Sequence, residues 1–322
     1  MIRAHALRAV AMLVLTAGVT GARPAAAEFP EKPIRMVVPA GAGGGADTSA
    51  RLFAAEMGKL FKQSVYVENV PGAGGSIGTD RVTKATADGY TILFGFNALV
   101  TLLPALNPKM PYKASDLQPL GITSFSCYVL LASSELPAKN MPELVALAKA
   151  QPGRIAYAST GNGSAAHLGG ELLQQQAGIQ LLHVPFKSPG LVELMANQVQ
   201  LKLEPLQSGV PLLKQGKLKA LGVSCPERVK SLPDVPAIAE TLPGYEVVGW
   251  QGVWAPKGTP LGVVSRLNGA LATVLKLPEV QTRQADSDTR ASDPSIDTMA
   301  RAIDSEAVLW ARLVRERGIK PE

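Results

Sequence analysis

The 322-residue sequence has few of the residues on which several classes of protein depend. It contains two cysteines, which excludes a small scaffold held together by many disulfides. Only 18% of its residues are charged and 46% are hydrophobic, so the composition does not match an intrinsically disordered chain. No apolar run approaches the roughly 20 residues of a transmembrane helix. These absences leave a folded protein whose length favours two domains.

The charged residues and histidines predict neither a nucleic-acid partner nor a metal site. The formal net charge is +6, but the first 27 residues contribute Arg3, Arg8 and Arg23 and no acidic residue. The remaining chain has no run of Lys and Arg interleaved with aromatics, which a nucleic-acid surface would show. Beyond that first segment the two histidines, His167 and His183, stand sixteen positions apart without the spacing of a ligand set. We therefore expect no metal and no cofactor.

The N-terminal segment has the pattern of a secretory signal. Arg3 and Arg8 precede an apolar stretch at 10–19, and the small residues 25–27 follow it. The apolar stretch is too short to span a bilayer comfortably. We expect a signal peptide over residues 1–27 that is cleaved after Ala27. The mature protein would then begin at Glu28 in an oxidising compartment such as the bacterial periplasm.

Strand patterns alternate with helical patterns along the rest of the chain, which predicts an α/β fold with mainly parallel sheets. The predicted strands cover residues 34–39, 64–69, 91–95, 128–132, 155–158, 182–184, 201–203 and 218–224. The predicted helices include residues 48–61, 141–150, 165–177 and 295–318. Asp47 is expected to cap the first of them. Two extended stretches, 117–132 and 218–228, are interpreted as crossings between two lobes.

Three glycine loops each follow a predicted strand and precede a helix. They are Gly41–Asp47, Gly72–Gly78 and Ser159–Ser164. Helix N-termini present free N–H groups and partial positive charge, and glycine lets a ligand approach the backbone. Because ligands of open α/β sheets bind at the carboxyl ends of strands, the three loops together indicate an anion site. Ordinary tight turns are the alternative interpretation.

The first loop also fits a dinucleotide site. Gly41, Gly43 and Ala46 match G-x-G-x-x-G/A, and Glu68 ends the next strand as the acid that would bind a ribose. An exported dinucleotide-dependent oxidoreductase is therefore an alternative function.

The second loop contains a formal nucleophile elbow. Residues 74–78 read G-x-S-x-G around Ser76, as in serine hydrolases. The catalytic histidine of that fold stands late in the chain, whereas His167 and His183 lie near its middle. A secreted hydrolase is a third, weaker hypothesis.

In these loops and in several further motifs the sequence resembles the periplasmic solute receptors of tripartite tricarboxylate transporters, the Bug family. The motifs occur in one order at residues 29–34, 38–47, 68–78, 88–91, 161–167, 183–187 and 250–260. The resemblance runs from about residue 28 to 318. It implies a two-lobed periplasmic binding protein (Venus flytrap) fold with two hinge crossings, lobe 1 at 28–124 and 226–322 and lobe 2 at 125–225. It also implies a receptor, not an enzyme, that closes on a small carboxylate and delivers it to membrane permease subunits. Nothing in the sequence argues against a monomer, which we expect.

The same resemblance implies a set of ligand-binding residues in which glycine-loop N–H groups and hydroxyls take the carboxylate. Lobe 1 would contribute Gly41, Gly43, Gly44, Asp47, Gly74, Gly75, Ser76, Ile77 and Asn97. Lobe 2 would contribute Ser159, Thr160, Gly161, Gly163, Ser164, His167, Phe186, Lys187 and Glu204. Asp47 is expected to shape its loop and to pair with Arg51. Phe186–Pro189 and Glu204 depart from the family's usual Tyr-Lys-Gly and aspartate, so they alter lobe 2's face of the cleft.

The two cysteines, Cys127 and Cys225, stand near the two predicted crossings. Adjacent hinge strands could bring them within bridging distance, but two buried free thiols fit the sequence equally well.

Overall fold

The computed structural model describes residues 29–186, 188, 190–286 and 289–320. The predicted signal peptide and Lys187 lie outside the described residues. The strands are β1 Ile34–Val38, β2 Val65–Asn69, β3 Thr91–Phe96, β4 Leu117–Ser133, β5 Ala156–Ser159, β6 Leu182–Pro185, β7 Leu201–Pro205, β8 Leu218–Val223, β9 Val248–Pro256 and β10 Thr289–Ala291. The helices are α1 Gly45–Phe61, α2 Ser76–Thr83, α3 Leu102–Leu106, α4 Met141–Ala150, α5 Ala165–Ala177, α6 Leu191–Met195, α7 Leu206–Lys214, α8 Leu261–Val274, α9 Pro278–Asp286 and α10 Ile296–Arg317, with short 3₁₀ turns between some of them.

Two sheet halves share one long strand, β4. In the first half β1 pairs in parallel with β2 and β3, and β9 joins β3 antiparallel. In the second half β5 pairs in parallel with β6 and β7. The first part of β4 pairs with β9 as far as Cys127, and from Tyr128 onward β4 pairs with β7. The chain therefore leaves the first half at residues 127–128, inside the stretch predicted to be a crossing.

The return to the first half lies later than predicted. Residues 218–223 are β8, which pairs with β4 inside the second half, so the stretch 218–228 is not a crossing. After Cys225 the chain keeps packing on the second half through Ile238, Tyr245 and Val247. It returns with β9 at Val248. The predicted lobe boundaries stay a prediction, and this packing favours an end of lobe 2 near residue 247 rather than 225.

Alternating side chains give each half a core on both faces of its sheet. On β1, Met36 and Val38 pack with α1 and α8, whereas Val37 faces the opposite core. On β4, Leu130 and Leu131 likewise enter opposite cores. This follows from the two-residue period of a strand that is buried on both faces.

The last helix, α10, spans both halves. Its side chain Met299 packs in the first half, and Trp310 and Leu313 pack in the second. Ser295 caps its start by accepting from the N–H of Thr298, and Gly318 ends it in the left-handed conformation with φ 61°. Serine at the start and glycine just past the end are residue types typical of these two positions. Among the described residues, no helix has the length and apolar character needed to cross a bilayer.

The crossing is closed by a disulfide. Cys127 and Cys225 are bonded, their Cα atoms lie 5.5 Å apart, and both side chains are buried. Cys127 stands on β4 opposite Val248 of β9. The disulfide therefore ties the crossing strand β4 to the segment that follows β8 in the second half.

Candidate functional site

A cleft opens where the two halves meet. Its inner part, which we call the cleft cavity, has a volume of about 520 Å³. The polar side chains that line it are Asn97, Ser124, Ser126, Tyr128, Thr160, Ser164, Lys202, Glu204, Gln207, Gln251 and Thr289. A neighbouring outer cavity of about 690 Å³ shares Ser124, Gln207, Gln251 and Thr289 with it and extends to Gly43 and Gly45. Both halves and the crossing strands thus contribute to one continuous cleft.

Helix N-termini from both halves reach this cleft. Ala165 and Ala166, the first residues of α5, line the cleft cavity, and Gly45, the first residue of α1, lines the outer cavity. The N–H groups of a first helical turn have no partner within their own helix, and the helix dipole adds partial positive charge there. The cleft therefore offers anion-binding groups from opposite sides.

The first glycine loop is held by Asp47, although not as the predicted N-cap. Gly44 is the N-cap, and Asp47 is the third residue of α1. From this position its carboxylate reaches back and accepts from the N–H of Gly43 at 2.8 Å. Arg51 pairs with Asp47 as predicted, with Arg51 Nη2 at 2.9 Å from Asp47 Oδ1. Asn69 Nδ2 also donates to Asp47 Oδ1 at 2.9 Å. These bonds from Arg51 and Gly43 lower the pKa of Asp47 to about 2. Because both carboxylate oxygens of Asp47 bind groups of the protein, this residue fixes the conformation of the loop.

The predicted residues of that loop are placed on its exposed side. Gly41, Gly43 and Gly44 are exposed, and Gly43 lines the outer cavity with φ 81°, a conformation that favours glycine.

The second glycine loop is not part of the lining of either cavity. A Cβ at Gly75, where φ is 97°, would meet the side chain of Leu99 at 2.7 Å. Ser76 is buried, while Ile77 is exposed. Gly74, Gly75, Ser76 and Ile77 lie outside the described lining of either cavity.

The third loop is closed by its own hydrogen bonds. Ser159 Oγ lies 2.7 Å from His183 Nε2 and also donates to the carbonyl of Gly161. The N–H of Gly163 donates to His167 Nδ1 at 2.9 Å. The His167 and His183 rings stack with centroids 3.9 Å apart. Ser159, Gly161, Gly163 and His167 therefore form the frame of the loop.

That frame presents Thr160 and Ser164 to the cleft cavity. Ser164 is the N-cap of α5, and its hydroxyl also donates to the carbonyl of Gly161 at 2.9 Å. Phe186, by contrast, packs against the second half's core, and its N–H donates to the carbonyl of Ser159.

Asn97 and Glu204 line the cleft cavity, but both already have protein partners. Asn97 Nδ2 donates to the carbonyl of Val248 at 3.1 Å and to Glu306 Oε2 at 3.0 Å. Glu204 accepts from Lys202 and from the hydroxyl of Ser208. Asn97 therefore fixes the wall of the cavity near the crossing.

Several residues of the cleft were missed at the level of sequence. Tyr128, Lys202 and Gln207 line it from the second half, and Trp250 lines it from β9. Glu306 of α10 supports that wall, because its half-buried carboxylate accepts from Trp250 Nε1 at 2.5 Å as well as from Asn97. Burial raises the pKa of Glu306 despite these hydrogen bonds. The alternation Leu-Lys-Leu-Glu in β7 was the available signal for Lys202, which shares a strand face with Glu204.

The residues of the two enzyme alternatives are engaged elsewhere. Glu68 accepts from Arg81 at 2.6 Å and lies 3.4 Å from Arg35, so its carboxylate is occupied where a ribose acid would have to be open. The two described histidines, His167 and His183, bond the third loop of the second half. No group of three or more potential metal ligands occurs among the described residues.

Known protein families include one that matches most of this sequence. The sequence model of the tripartite tricarboxylate transporter family receptor matches residues 49–319. The chain belongs to this family. It is 34% identical over 319 residues to a UPF0065 protein of Pseudomonas sp. strain P51, covering 98% of this chain and 94% of that protein. It is 33% identical over 320 residues to the protein BugT of Bordetella pertussis, covering 98% of each.

Solved structures of periplasmic binding proteins share the fold. The periplasmic binding protein BugD superposes on this chain with a TM-score of 0.75 at 33% sequence identity, and the match covers 91% of this chain and 100% of BugD. MatC from Rhodopseudomonas palustris, solved with malate, gives a TM-score of 0.74 at 32% identity, covering 89% and 100% of the two chains. An R. palustris protein solved with adipate gives 0.78 at 30% identity, covering 91% and 100%. The predicted α/β fold of the periplasmic binding protein type is thus confirmed, and the family and these neighbours are solute-binding receptors.

Proposed function

We propose that this protein captures a small carboxylate between its two lobes in the periplasm and delivers it to a tripartite tricarboxylate-type membrane transporter. The observation that carries the proposal is the cleft between the halves, where helix N-termini of α1 and α5 face in from opposite sides. Two similar proteins were solved with the dicarboxylates malate and adipate, which supports a carboxylate as the ligand class.

The binding step follows from these groups. One carboxylate is held by the N–H groups of Ala165 and Ala166 and by the hydroxyl of Thr160, while Ser164 caps the helix and its hydroxyl bonds the Gly161 carbonyl. The first glycine loop binds the ligand from the opposite lobe. A ligand that touches both lobes stabilises the closed state only by its differential affinity for that state, so closure depends on these bridging contacts. The closed protein then presents a single surface to the permease subunits.

The proposal extends to export. The full chain, expressed in a Gram-negative host, is expected in the periplasmic fraction with an N-terminus at Glu28. Sequencing of the purified protein from its N-terminus tests this, and retention of Met1 in the cytoplasmic fraction would contradict it.

Thermal melting with a ligand panel tests the function itself. The panel contains mono-, di- and tricarboxylates, aromatic acids, amino acids and NAD(H). A ligand at 100 times its dissociation constant adds about 2.7 kcal/mol to the free energy of unfolding, which shifts the melting temperature measurably. A shift with a carboxylate is expected. A shift with NAD(H) and with no acid would favour the oxidoreductase alternative instead.

A matched pair of variants assigns the site. Ser164→Ala removes both the cap of α5 and a cleft hydroxyl, and it is expected to weaken binding of the acid found in the panel. Ser295→Ala removes the cap of α10, away from the lining of the cleft, and should leave that affinity unchanged.

A further inference from the structure

The cleft cavity has two charged side chains among its described lining residues, and they neutralise each other. Lys202 and Glu204 stand two positions apart on β7, so both point to the same face of the strand. Their exposed fractions are 2% and 6%. Lys202 Nζ donates to Glu204 Oε2, and Ser208 Oγ donates to Glu204 Oε1. The ammonium of Lys202 is thus committed to a carboxylate of the protein.

The other groups of the cavity add little positive charge. Tyr128 lies on the neighbouring strand β4, where burial and the charge of Glu204 raise its pKa to about 12, so its hydroxyl is a neutral donor. A helix N-terminus is equivalent to roughly half a positive charge. The N-termini of α5 and α1 can therefore match one or two carboxylates, one at each end of the cleft.

A third carboxylate has no such partner among the described lining residues of the cleft cavity, and the charged residues that line the outer cavity, Arg283 and Asp286, are exposed and opposite in sign. It would lose its hydration on entering the cleft cavity, and this cost is recovered only where charged or well-oriented donors replace the water. The Lys202–Glu204 pair has no net charge, so it cannot supply that compensation.

We propose that the closed Lys202–Glu204 pair makes this receptor discriminate against tricarboxylates in favour of acids with one or two carboxylates, with Glu204 as the specificity-determining residue. This inference rests on the proposed function, because it concerns the charge of the ligand bound at the same site.

Glu204→Gln tests the pair with little change of shape. Glutamine is close to glutamate in size, and its oxygen can accept from Lys202 while its N–H₂ donates to the Ser208 hydroxyl, which keeps the Pro205 carbonyl as its own acceptor, but the substitution removes the negative charge. The cavity then has the unbalanced charge of Lys202, which favours more highly charged acids. The double variant Lys202→Met/Glu204→Gln is neutral again and serves as the matched control.

Isothermal titration with succinate, adipate, propane-1,2,3-tricarboxylate and citrate at neutral pH measures the selectivity. In the unaltered protein the dissociation constant of the better tricarboxylate is expected to exceed that of the better dicarboxylate by about tenfold or more, which corresponds to about 1.4 kcal/mol. Glu204→Gln should reduce this ratio by about tenfold, and the double variant should restore it. Increased salt should shrink the difference between variants.

Equal affinity of the unaltered protein for citrate and for the dicarboxylates would overturn the inference, as would an unchanged ratio in Glu204→Gln. If Glu204→Gln does not fold, as judged by circular dichroism, Glu204→Asp replaces it. That variant keeps the charge and is expected to keep the discrimination, and its loss would count against the inference. Absence of binding to every acid of the wider panel would reject the proposed function and the inference together, whereas binding without discrimination rejects the inference alone.

Discussion

The first glycine loop depends on one buried carboxylate, and Asp47→Asn tests that dependence. Asp47 is 3% exposed and accepts from the N–H of Gly43, from Arg51 and from Asn69. Asparagine has nearly the same shape, but it loses the charge and turns an amide N–H₂ toward groups that are themselves donors. The substitution therefore removes the electrostatic part of this network with little change in packing.

The expected cost follows from the pKa of Asp47. Its pKa falls from 3.8 to about 2 in the folded protein, chiefly through the hydrogen bonds from Arg51 and Gly43. One pKa unit corresponds to about 1.4 kcal/mol, so the full shift would give about 2 kcal/mol. Because the side chain of Arg51 is 53% exposed, solvent screens part of this, and we expect a loss of about 1–2 kcal/mol in the free energy of unfolding at pH 7.

The pH dependence of this loss has a definite sign. A carboxyl group whose pKa is lowered by folding stabilises the native state above its unfolded pKa, and this contribution disappears as the pH falls through the folded pKa. The difference between Asp47→Asn and the unaltered protein should therefore be full above about pH 5 and should close as the pH falls from about 4 to 2.

Urea denaturation followed by circular dichroism at pH 7, 4 and 3 measures the difference. Lys84→Met is the control, because Lys84 and Asp80 form an exposed i,i+4 pair whose loss should change the free energy of unfolding by no more than about 0.5 kcal/mol. Equal stability of Asp47→Asn and the unaltered protein at pH 7, or a difference that does not shrink in acid, would refute the reasoning.

Three further predictions concern the crossing and the third loop. Reduction of the disulfide between Cys127 and Cys225, which closes a loop of 98 residues, should lower the free energy of unfolding by up to about 4–5 kcal/mol. Thermal melting with and without dithiothreitol measures this effect. The variant with alanine at both positions should not respond to the reductant. Gly163→Ala places a Cβ against the side chain of Leu106 of α3 at a position where φ is 77°. It should lower the melting temperature more than Gly153→Ala, where φ is 71° but the space around the Cβ is open. Equal melting temperatures of the two variants would contradict this. The pKa of Glu306 is raised, so its ionisation lowers the stability of the folded protein as the pH rises. The melting temperature of Glu306→Gln relative to the unaltered protein should therefore increase between pH 4 and 8. A constant difference would show that the carboxyl does not titrate in that range.

Local signals predicted the secondary structure well where a whole element carries its own pattern. The apolar run of β1 and the cap residues at both ends of α10 specify those elements without reference to the rest of the chain. The capping role of Asp47 was wrong, because an aspartate three residues inside a helix can also reach the N–H groups before it. The sequence pattern does not distinguish an aspartate at the N-cap from one at the third helical position.

The composition of the cleft depended on tertiary structure that the sequence does not display. Trp250 and Glu306 are 56 residues apart, and they meet because β9 returns through the crossing beneath α10. The sequence alone could not separate residues 218–228 from the later return at Val248, because β8 and a crossing strand have the same extended, apolar pattern. The sequence pattern located the three glycine loops, but it could not show which of their residues line the cavities: Thr160 and Ser164 do, and residues 74–77 are not among the lining. The ligand-binding role of residues 74–77 stays a prediction.

The most direct test of the central claim is a crystal structure of the protein with the acid that gives the largest thermal shift. We expect the two halves to be closed on the ligand, with a carboxylate within hydrogen-bonding distance of the N–H of Ala165 or Ala166 and a second contact from the first glycine loop. An acid bound outside the cleft, or one held by a single half, would contradict it.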